Sequence, residues 1–200
     1  NKFVHHGKKH EPVATMIYEH IYNNKVTEFG ALPSTVHPML AASPDGICSK
    51  STLDGKFSDR LGTMLEIKCP FSREIQISGE IAGEICPYYY FCQVQQQLEC
   101  CDLDECDFWQ CEILEYDDRE DFVLDTNLEY PYLSKSKNME KGALIQILPF
   151  SYKNSCPYSH LYSHSYSYAY MLMRTLTPTL DTWCEYEYEH KSECQCVTFS

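Results

Sequence analysis

Hydrophobic residues near the start of the chain recur with the spacing of one helix face. In the segment EPVATMIYEHIY, four apolar residues follow the i, i+3, i+4, i+8 spacing of an amphipathic helix: Val13, Met16, Ile17 and Ile21. Pro12 suits the first turn of a helix, where its missing N–H costs little. We therefore predict a helix with Pro12 in its first turn, extending back through Glu11.

Short extended segments, separated by turn-forming residues, come next. KVTEFGALPST predicts a strand with a break at Gly30 and Pro33, and PMLAAS predicts a second strand. SPDG has the composition of a turn, GIC begins the next strand, and TMLEIKC is a strong strand. The polar stretch SKSTLDGKFSDRLG before TMLEIKC predicts an extended hairpin loop.

The pattern then changes to a second helix and one more strand. CPYYYFCQVQQQLECC begins with Pro87, a helix-start residue, and Phe91, Val94 and Leu98 share one stripe. CDFWQCEILEY alternates apolar and polar positions, which predicts a half-buried strand. The order helix, three strands, helix, strand (αβββαβ) predicts an α/β fold with a mixed central sheet flanked by helices.

Beyond residue 150 the sequence is rich in Tyr, Ser and His and has no helical or hairpin pattern. We predict one domain over residues 1–150 and an unassigned, biased tail over 151–200. With 200 residues and 44% hydrophobic content, the chain can bury one core. It has no run of eighteen apolar residues, so we expect no membrane span. Because the chain starts without Met or a secretion signal, we expect an incomplete N-terminal part.

Charge is distributed unevenly along the chain. The net charge of −13 argues against a general nucleic-acid binder. Residues 1–75, however, hold 9 basic and 8 acidic residues, whereas residues 76–150 hold 4 basic and 16 acidic ones. We interpret the acidic stretch from Glu99 to Glu129 as a solvated face, which leaves a local basic groove possible in the first part of the chain.

The twelve cysteines are scattered, and several fall in segments predicted to be buried. Without a secretion signal, we interpret them as reduced thiols rather than as a disulfide framework. Zinc is the alternative, but the cysteines lack the paired C-x-x-C spacing of a standard structural site.

Charged residues around the hairpin are the strongest candidate chemistry. In LEIKC, strand alternation turns Glu66 and Lys68 to one face and Ile67 to the other. A hairpin would bring Asp45 of the SPDG turn beside Glu66. Asp45, Glu66 and the backbone carbonyl of Ile67 would then supply part of a Mg²⁺ or Mn²⁺ shell. Lys68 would orient or deprotonate an attacking water, or stabilise charge on a phosphate. An ordinary surface charge pair is the alternative.

Four segments in a fixed order resemble a known family: GKKHEP, AASPDG, LEIKCPF and YYYFCQVQQQLE. Together they resemble the lambda exonuclease and YqaJ-type viral recombinase family of PD-(D/E)xK nucleases, from about Gly7 to Tyr116. The resemblance implies a metal-dependent exonuclease that resects duplex DNA ends from 5′ to 3′ in viral recombination or repair. It also implies a single-strand annealing partner, a homo-oligomer and an intracellular viral protein, acting in the host cell or virus factory.

The resemblance implies roles for individual residues. Asp45 and Glu66 match the metal-binding acids, and Lys68 matches the catalytic lysine. Glu11 matches a helix acid that faces the site and holds or orients the metal and water. Gln93 matches the first glutamine of a Q-V-Q motif near the nucleophile.

Contacts with DNA form a separate group of expectations. Ser43 matches a serine that helps to hold the terminal 5′ phosphate in lambda exonuclease. Basic residues in the hairpin loop and after the LEIKC strand are further candidates for contacts with the DNA backbone: Lys50, Lys56, Arg60 and Arg73.

The chain also departs from lambda exonuclease, which has a further acid about ten residues before the SPDG aspartate. Here that neighbourhood is TVHP, with His37 as the polar candidate. This departure leaves open whether the site takes one metal ion or two. One alternative function, based on the incomplete start and the biased tail, is a catalytically inactive nuclease-fold module that binds DNA or a partner. Another is an iron–sulfur or zinc nuclease relative, although the scattered cysteines match that pattern poorly.

Overall fold

The computed structural model describes residues 2–147, 166–175 and 195–199, with side chains for residues 2–143. None of the helices in these ranges is long and apolar enough to cross a membrane. The protein divides into two compact units. The first comprises residues 1–112 and 175–200, and the second comprises residues 113–174. A π-helical turn, Ile81–Ile85, precedes the second helix. The helices and strands are α1 (Lys2–Ile21), β1 (Val26–Thr27), β2 (Leu32–Pro33), β3 (Ala41–Ala42), β4 (Gly46–Cys48), β5 (Met64–Lys68), α2 (Tyr88–Cys101), β6 (Cys106–Glu115), α3 (Arg119–Leu124), β7 (Glu140–Ile147), β8 (Tyr166–Thr175) and β9 (Gln195–Phe199).

The first unit is built on a mixed sheet. Strands β1, β4 and β5 are antiparallel neighbours, and β6 lies parallel to β5. A parallel pair needs a crossover connection, and the segment that contains α2 supplies it. The predicted order of helix, three strands, helix and strand is therefore confirmed by α1, by these three strands, and by α2 and β6.

One predicted strand lies outside this sheet. The PMLAAS segment contributes β3, which pairs with β2 in a separate two-stranded hairpin. Hydrogen bonds within the segment close this hairpin on itself: the Ser34 N–H donates to the Leu40 carbonyl at 2.9 Å, and the Leu40 N–H donates to the His37 carbonyl at 2.8 Å. Backbone groups of this hairpin therefore find hydrogen-bond partners within it, and the hairpin does not depend on pairing with the main sheet.

Helix α1 is longer than predicted and holds Pro12 in its middle, so the placement of Pro12 in a first turn was wrong. Met16, assigned to the apolar face, is 59% exposed. A proline inside a helix removes one hydrogen bond and crowds the preceding turn. The helix residues that are buried before and after Pro12 offset this cost. The prediction counted only aliphatic residues after Pro12, whereas the buried residues are His6, His10, Val13, Ala14 and Tyr18.

Strand β6 was predicted to be half-buried, but both of its faces are buried from Cys106 to Cys111. On one face Phe108 joins a core cluster that includes Val94 and Leu98 of α2. On the other face the Trp109 indole N–H donates to the Ala14 carbonyl of α1 at 3.1 Å. The two helices thus cover opposite faces of the strand, and the polar positions of its alternation are buried with them.

A buried acid joins three separate parts of the first unit. Asp107 of β6 is fully buried and accepts a hydrogen bond from the Tyr18 hydroxyl of α1 at 2.5 Å. It also forms an ion pair with Arg60 of the hairpin loop, whose guanidinium lies 4.4 Å from the centre of the Tyr22 ring. Because charged groups are rarely buried without a partner, this network ties the loop and α1 to β6.

The second unit contains α3, β7 and β8. The Asp118 carboxylate accepts the Asp121 N–H at 2.9 Å and so caps α3, and β7 pairs antiparallel with β8. Strand β8 and strand β9, which pairs with β6, lie in the tail where we predicted no regular element. Tyr occupies every second position from Tyr166 to Tyr170 of β8, a strand pattern that the biased composition obscured. The domain boundary at residue 150 stays a prediction, and the rest of the tail lies outside the described residues.

The cysteines from Cys48 to Cys111 are not disulfide-bonded. Cys48, Cys86 and Cys106 are among those that are buried, and burial raises the pKa of each of these three thiols. A raised pKa keeps a thiol protonated and unreactive at neutral pH.

Candidate active site

The hairpin of β4 and β5 brings Asp45 beside Glu66. The register pairs Gly46 with Leu65, and one further step along the same antiparallel register sets Asp45 opposite Glu66. One oxygen of Asp45, Oδ2, accepts the backbone N–H of Ile67 at 2.6 Å. The predicted hairpin is therefore confirmed, and the carboxylate of Asp45 is anchored to the strand that carries Glu66.

The Glu66 carboxylate is 1% exposed and is surrounded by hydrogen-bond donors. Its Oε1 accepts from the Lys68 ammonium and from the Gln93 amide at 2.7 Å, and its Oε2 accepts from the Gln97 amide at 2.8 Å. A carboxylate offers about four acceptor positions. These donors fill three of them, so Glu66 is tightly oriented and keeps capacity for one further partner.

Lys68 is held between a carboxylate and an aromatic ring. Its ammonium pairs with Glu66 and lies 4.8 Å from the centre of the Tyr90 ring. Burial lowers the pKa of Lys68, but the charge of Glu66, the hydrogen bond to Glu66 and the charge of Asp45 outweigh burial, so the pKa is raised above its ordinary value. Lys68 is therefore a cation at neutral pH, suited to stabilising negative charge.

The acids around Lys68 resist ionisation. Burial, followed by the charge of Glu66, raises the pKa of Asp45 to about 7. Burial also raises the pKa of Glu11, with further contributions from the charges of Glu28 and Glu66. Crowded, half-buried carboxylates with raised pKa values are stabilised in their charged form by an added positive charge.

A hard divalent cation fits this donor group. Asp45 and Glu66 supply the carboxylate oxygens that Mg²⁺ and Mn²⁺ prefer. Asp45 and Glu66 would hold the cation. Within the described residues, the carboxylate oxygens of Glu11, Asp45 and Glu66 do not all lie within 4.8 Å of one another, so a role of Glu11 at the cation stays a prediction.

Two residues of this site escaped the sequence analysis. Tyr90 and Gln97 are on α2 with Gln93, at positions i, i+7 and i+3, which are neighbours on one helix face. Gln97 is 4% exposed, whereas the sequence was compatible with a solvated glutamine face. The i, i+3, i+7 spacing was the available signal, but the glutamine-rich composition hid it.

Two of the predicted DNA contacts lie beside this cluster. The carbonyl oxygen of Ser43 is 3.4 Å from the Gln97 amide nitrogen. The guanidinium of Arg73 donates to Gln110 at 2.5 Å and lies 6.0 Å from the centre of the Tyr90 ring. Both residues therefore stay candidates for contacts with a bound phosphate.

The hairpin-loop candidates have different surroundings. Lys50 is exposed, and Lys56 is exposed and forms an ion pair with Asp54 at 2.7 Å. The guanidinium of Arg60 is directed to the buried Asp107, so its geometry favours a structural role. DNA contacts by Lys50 and Lys56 stay predictions.

Residues 1–104 match the model of the YqaJ-like viral recombinase domain. The chain belongs to the YqaJ-like viral recombinase family. The resemblance stated from the four sequence segments is thereby confirmed, and the αβββαβ order of the mixed sheet and helices is that of the PD-(D/E)xK fold expected for it.

Relatives and solved structures are similar over parts of this family member. It is 52% identical over 167 residues to a protein of Acanthamoeba polyphaga mimivirus described as uncharacterized, an alignment that covers 81% of this chain and 30% of that protein. The chain thus spans less than a third of that relative. An alkaline exonuclease from Laribacter hongkongensis is similar with a TM-score of 0.43 at 27% identity, over 55% of this chain and 50% of the exonuclease. The same exonuclease in complex with dAMP gives 0.43 at 29% identity, over 60% and 52%.

Proposed function

We propose that this YqaJ-family chain is a divalent-metal-dependent DNA exonuclease. The observation that carries the proposal is the joint placement of Asp45, Glu66 and Lys68, which brings a half-buried acid, a buried acid and a cation together on the paired strands β4 and β5. The family membership of residues 1–104 supports the same activity. The reaction would be hydrolysis of a phosphodiester in the DNA backbone.

Each residue of the cluster has a distinct part in this proposal. Asp45 and Glu66 would hold Mg²⁺ or Mn²⁺, with the Ile67 carbonyl as a further predicted ligand and Glu11 as an outer acid. The cation supplies Lewis-acid stabilisation of the phosphate charge and eases deprotonation of the attacking water. Lys68, protonated at neutral pH, stabilises charge that develops on the phosphate oxygens. Gln93 orients Glu66 through its 2.7 Å hydrogen bond.

The direct test is degradation of linear duplex DNA by the purified chain with Mg²⁺, with Mn²⁺ and with EDTA. We expect activity with either metal and none with EDTA. Asp45→Asn and Lys68→Ala should each lose about 100-fold or more, because each removes charge stabilisation in the transition state. The exposed Lys25, just before β1, provides a matched control, and Lys25→Ala should retain activity.

Two results would overturn the assignment. Equal degradation by the wild type and both site variants would identify a contaminating nuclease. Retained DNA binding without cleavage, and without calorimetric binding of Mg²⁺ or Mn²⁺, would instead identify a catalytically inactive nuclease-fold module.

We further propose that digestion proceeds from 5′ to 3′ and that Ser43 contacts the terminal 5′ phosphate. Duplex DNA labelled at one 5′ end should release its label before DNA labelled at the 3′ end. Ser43→Ala should reduce the preference for 5′-phosphorylated over 5′-hydroxyl ends, because one hydrogen bond to the phosphate is removed. An unchanged preference, measured as the ratio of the two initial rates, would contradict the role of Ser43.

Membership of the YqaJ-like viral recombinase family supports a proposal for the wider role. We propose that the enzyme acts inside the infected cell in viral recombination or repair, where it would generate single strands for an annealing protein. A homo-oligomer is part of this proposal. Co-purification with a viral annealing protein and light scattering of the purified chain test the two associations separately.

A further inference from the structure

Gln97 is a buried polar residue on a helix whose neighbouring glutamines are solvent-exposed. It is 4% exposed, while Gln95 and Gln96 lie on the open side of α2. Burying an amide is unfavourable unless its hydrogen bonds are replaced. The position of Gln97 therefore calls for a specific partner, and the partners are found at the candidate metal site.

The amide nitrogen of Gln97 bridges two elements. It donates to Glu66 Oε2 at 2.8 Å, and it lies 3.4 Å from the carbonyl oxygen of Ser43. An NH₂ group carries two hydrogens, so one can serve each acceptor. Ser43 belongs to the turn that carries Asp45, and Gln97 therefore links the strand of one candidate metal ligand to the turn of the other.

The orientation of this amide is determined by its surroundings. An ionised carboxylate only accepts hydrogen bonds, so the NH₂ group of Gln97 must face Glu66 and its Oε1 must face elsewhere. That Oε1 is buried and has no hydrogen-bond partner among the described residues. An acceptor left unsatisfied in this way costs free energy, which indicates that holding Glu66 outweighs satisfying the amide.

Gln97 donates to Oε2 of Glu66. No second donor to this oxygen is seen among the described residues. Lys68 and Gln93 both donate to Oε1, whereas Oε2 receives its hydrogen bond from Gln97. Loss of Gln93 would leave Oε1 bound to Lys68, but loss of Gln97 would leave Oε2 without this restraint. Rotation about the terminal bond of a glutamate is otherwise broad, so the plane of the carboxylate depends on Gln97.

We propose that Gln97 is a positioning residue that sets the orientation of the Glu66 carboxylate, and its spacing from Asp45, for binding a divalent cation. This inference rests on the proposed function, because it assigns the two acids as ligands of the cation. Gln97 acts through Glu66 rather than on the DNA.

Calorimetric titration with Mn²⁺ compares the wild type, Gln97→Met and Gln96→Met. Methionine keeps the length of the side chain and removes the donor. We expect Gln97→Met to bind Mn²⁺ about 10- to 100-fold more weakly, the usual effect of removing a residue that orients a ligand. Gln96→Met, on the exposed side of the same helix, should bind within twofold of the wild type. Equal affinity in all three proteins would overturn the proposal.

A crystal structure of each variant without metal provides a second readout. The Glu66 carboxylate should be rotated in Gln97→Met and unmoved in Gln96→Met, and an unmoved carboxylate in both would overturn the proposal. This readout needs neither metal nor DNA, so it decides the role of Gln97 even if the wild type binds no Mn²⁺ and the proposed function fails. If Gln97→Met does not fold, Gln97→Asn, which is too short to reach Glu66, takes its place in both measurements.

Discussion

At the scale of single residues, the candidate site brings acidic groups close together at a cost in the free energy of unfolding. Asp45 and Glu66 are held close together at the end of a hairpin, and burial and the charge of Glu66 raise the pKa of Asp45 to about 7. The folded protein therefore binds more protons than the unfolded chain between pH 3.8 and about 7. The free energy of unfolding falls as the pH rises through this window, and it stays reduced above it.

The variant Asp45→Asn should for this reason be more stable than the wild type when metal is absent. Asparagine keeps an oxygen that can accept the Ile67 N–H, and it carries no charge. The gain in the free energy of unfolding should be near zero at pH 4 and reach up to about 4 kcal/mol above pH 7, since one pKa unit corresponds to about 1.4 kcal/mol. Urea unfolding in EDTA at pH 4, 6 and 8 measures it.

The exposed Asp59 offers a matched control in the hairpin loop. Asp59→Asn should change the free energy of unfolding by less than about 0.5 kcal/mol at each pH, as expected for a surface substitution. A gain for Asp45→Asn that does not grow with pH would contradict the electrostatic explanation.

At the scale of secondary-structure elements, the close approach of β1 and β4 supports the turn that carries Asp45. Gly46 begins β4, and a Cβ atom at this position would lie 2.2 Å from Cγ1 of Val26 in β1. Valine is branched at Cβ and has few alternative rotamers, so it cannot move aside easily. Strand β1 can therefore pair with β4 because Gly46 has no side chain.

Gly46→Ala should separate the two strands and shift the neighbouring Asp45. We expect a loss of about 1–3 kcal/mol in the free energy of unfolding, typical of overpacking, together with weaker Mn²⁺ binding. Gly30→Ala is the matched control, because nothing lies within 4 Å of a Cβ at Gly30. Equal stability of the two variants, measured by urea unfolding, would show that β1 can move away from the added methyl group without loss of stability.

At the scale of the whole molecule, the buried network of Asp107 connects residues that are far apart in the sequence. Tyr18 in α1, Arg60 in the hairpin loop and Asp107 in β6 are drawn together through hydrogen bonds and an ion pair. Asp107 is fully buried, so its carboxylate is shielded from water and contacts these partners instead. The network therefore helps to hold the loop between β4 and β5, and with it the hairpin of the candidate site.

Arg60→Ala should be strongly destabilising, since it removes an ion pair with a buried carboxylate. We expect a loss of about 3 kcal/mol in the free energy of unfolding. The matched variant Lys56→Ala removes an exposed ion pair with Asp54 and should cost far less, because solvent screens exposed ion pairs. Thermal and urea unfolding of both variants test this difference, and a comparable loss in the two would argue against a structural role for Arg60.

The sequence by itself determined the local elements and the candidate chemistry. Strand alternation in LEIKC assigned Glu66 and Lys68 to one face, and the turn composition of SPDG with the polar loop after GIC predicted the hairpin that brings Asp45 to them. These inferences succeeded because side-chain alternation and turn formation depend on a few neighbouring residues. The family resemblance rested on the same short segments.

Only the tertiary structure decided which polar residues are buried and what they contact. Pro12 lies in mid-helix because α1 packs on both sides of it, and β6 is buried on both faces because a helix covers each one. Gln97 contacts Glu66, which is 31 residues away in the sequence, and Arg60 contacts Asp107, which is 47 residues away. These contacts distinguish the two residues from their solvated neighbours. A local pattern cannot specify such partners, because burial depends on what packs against the far side of an element.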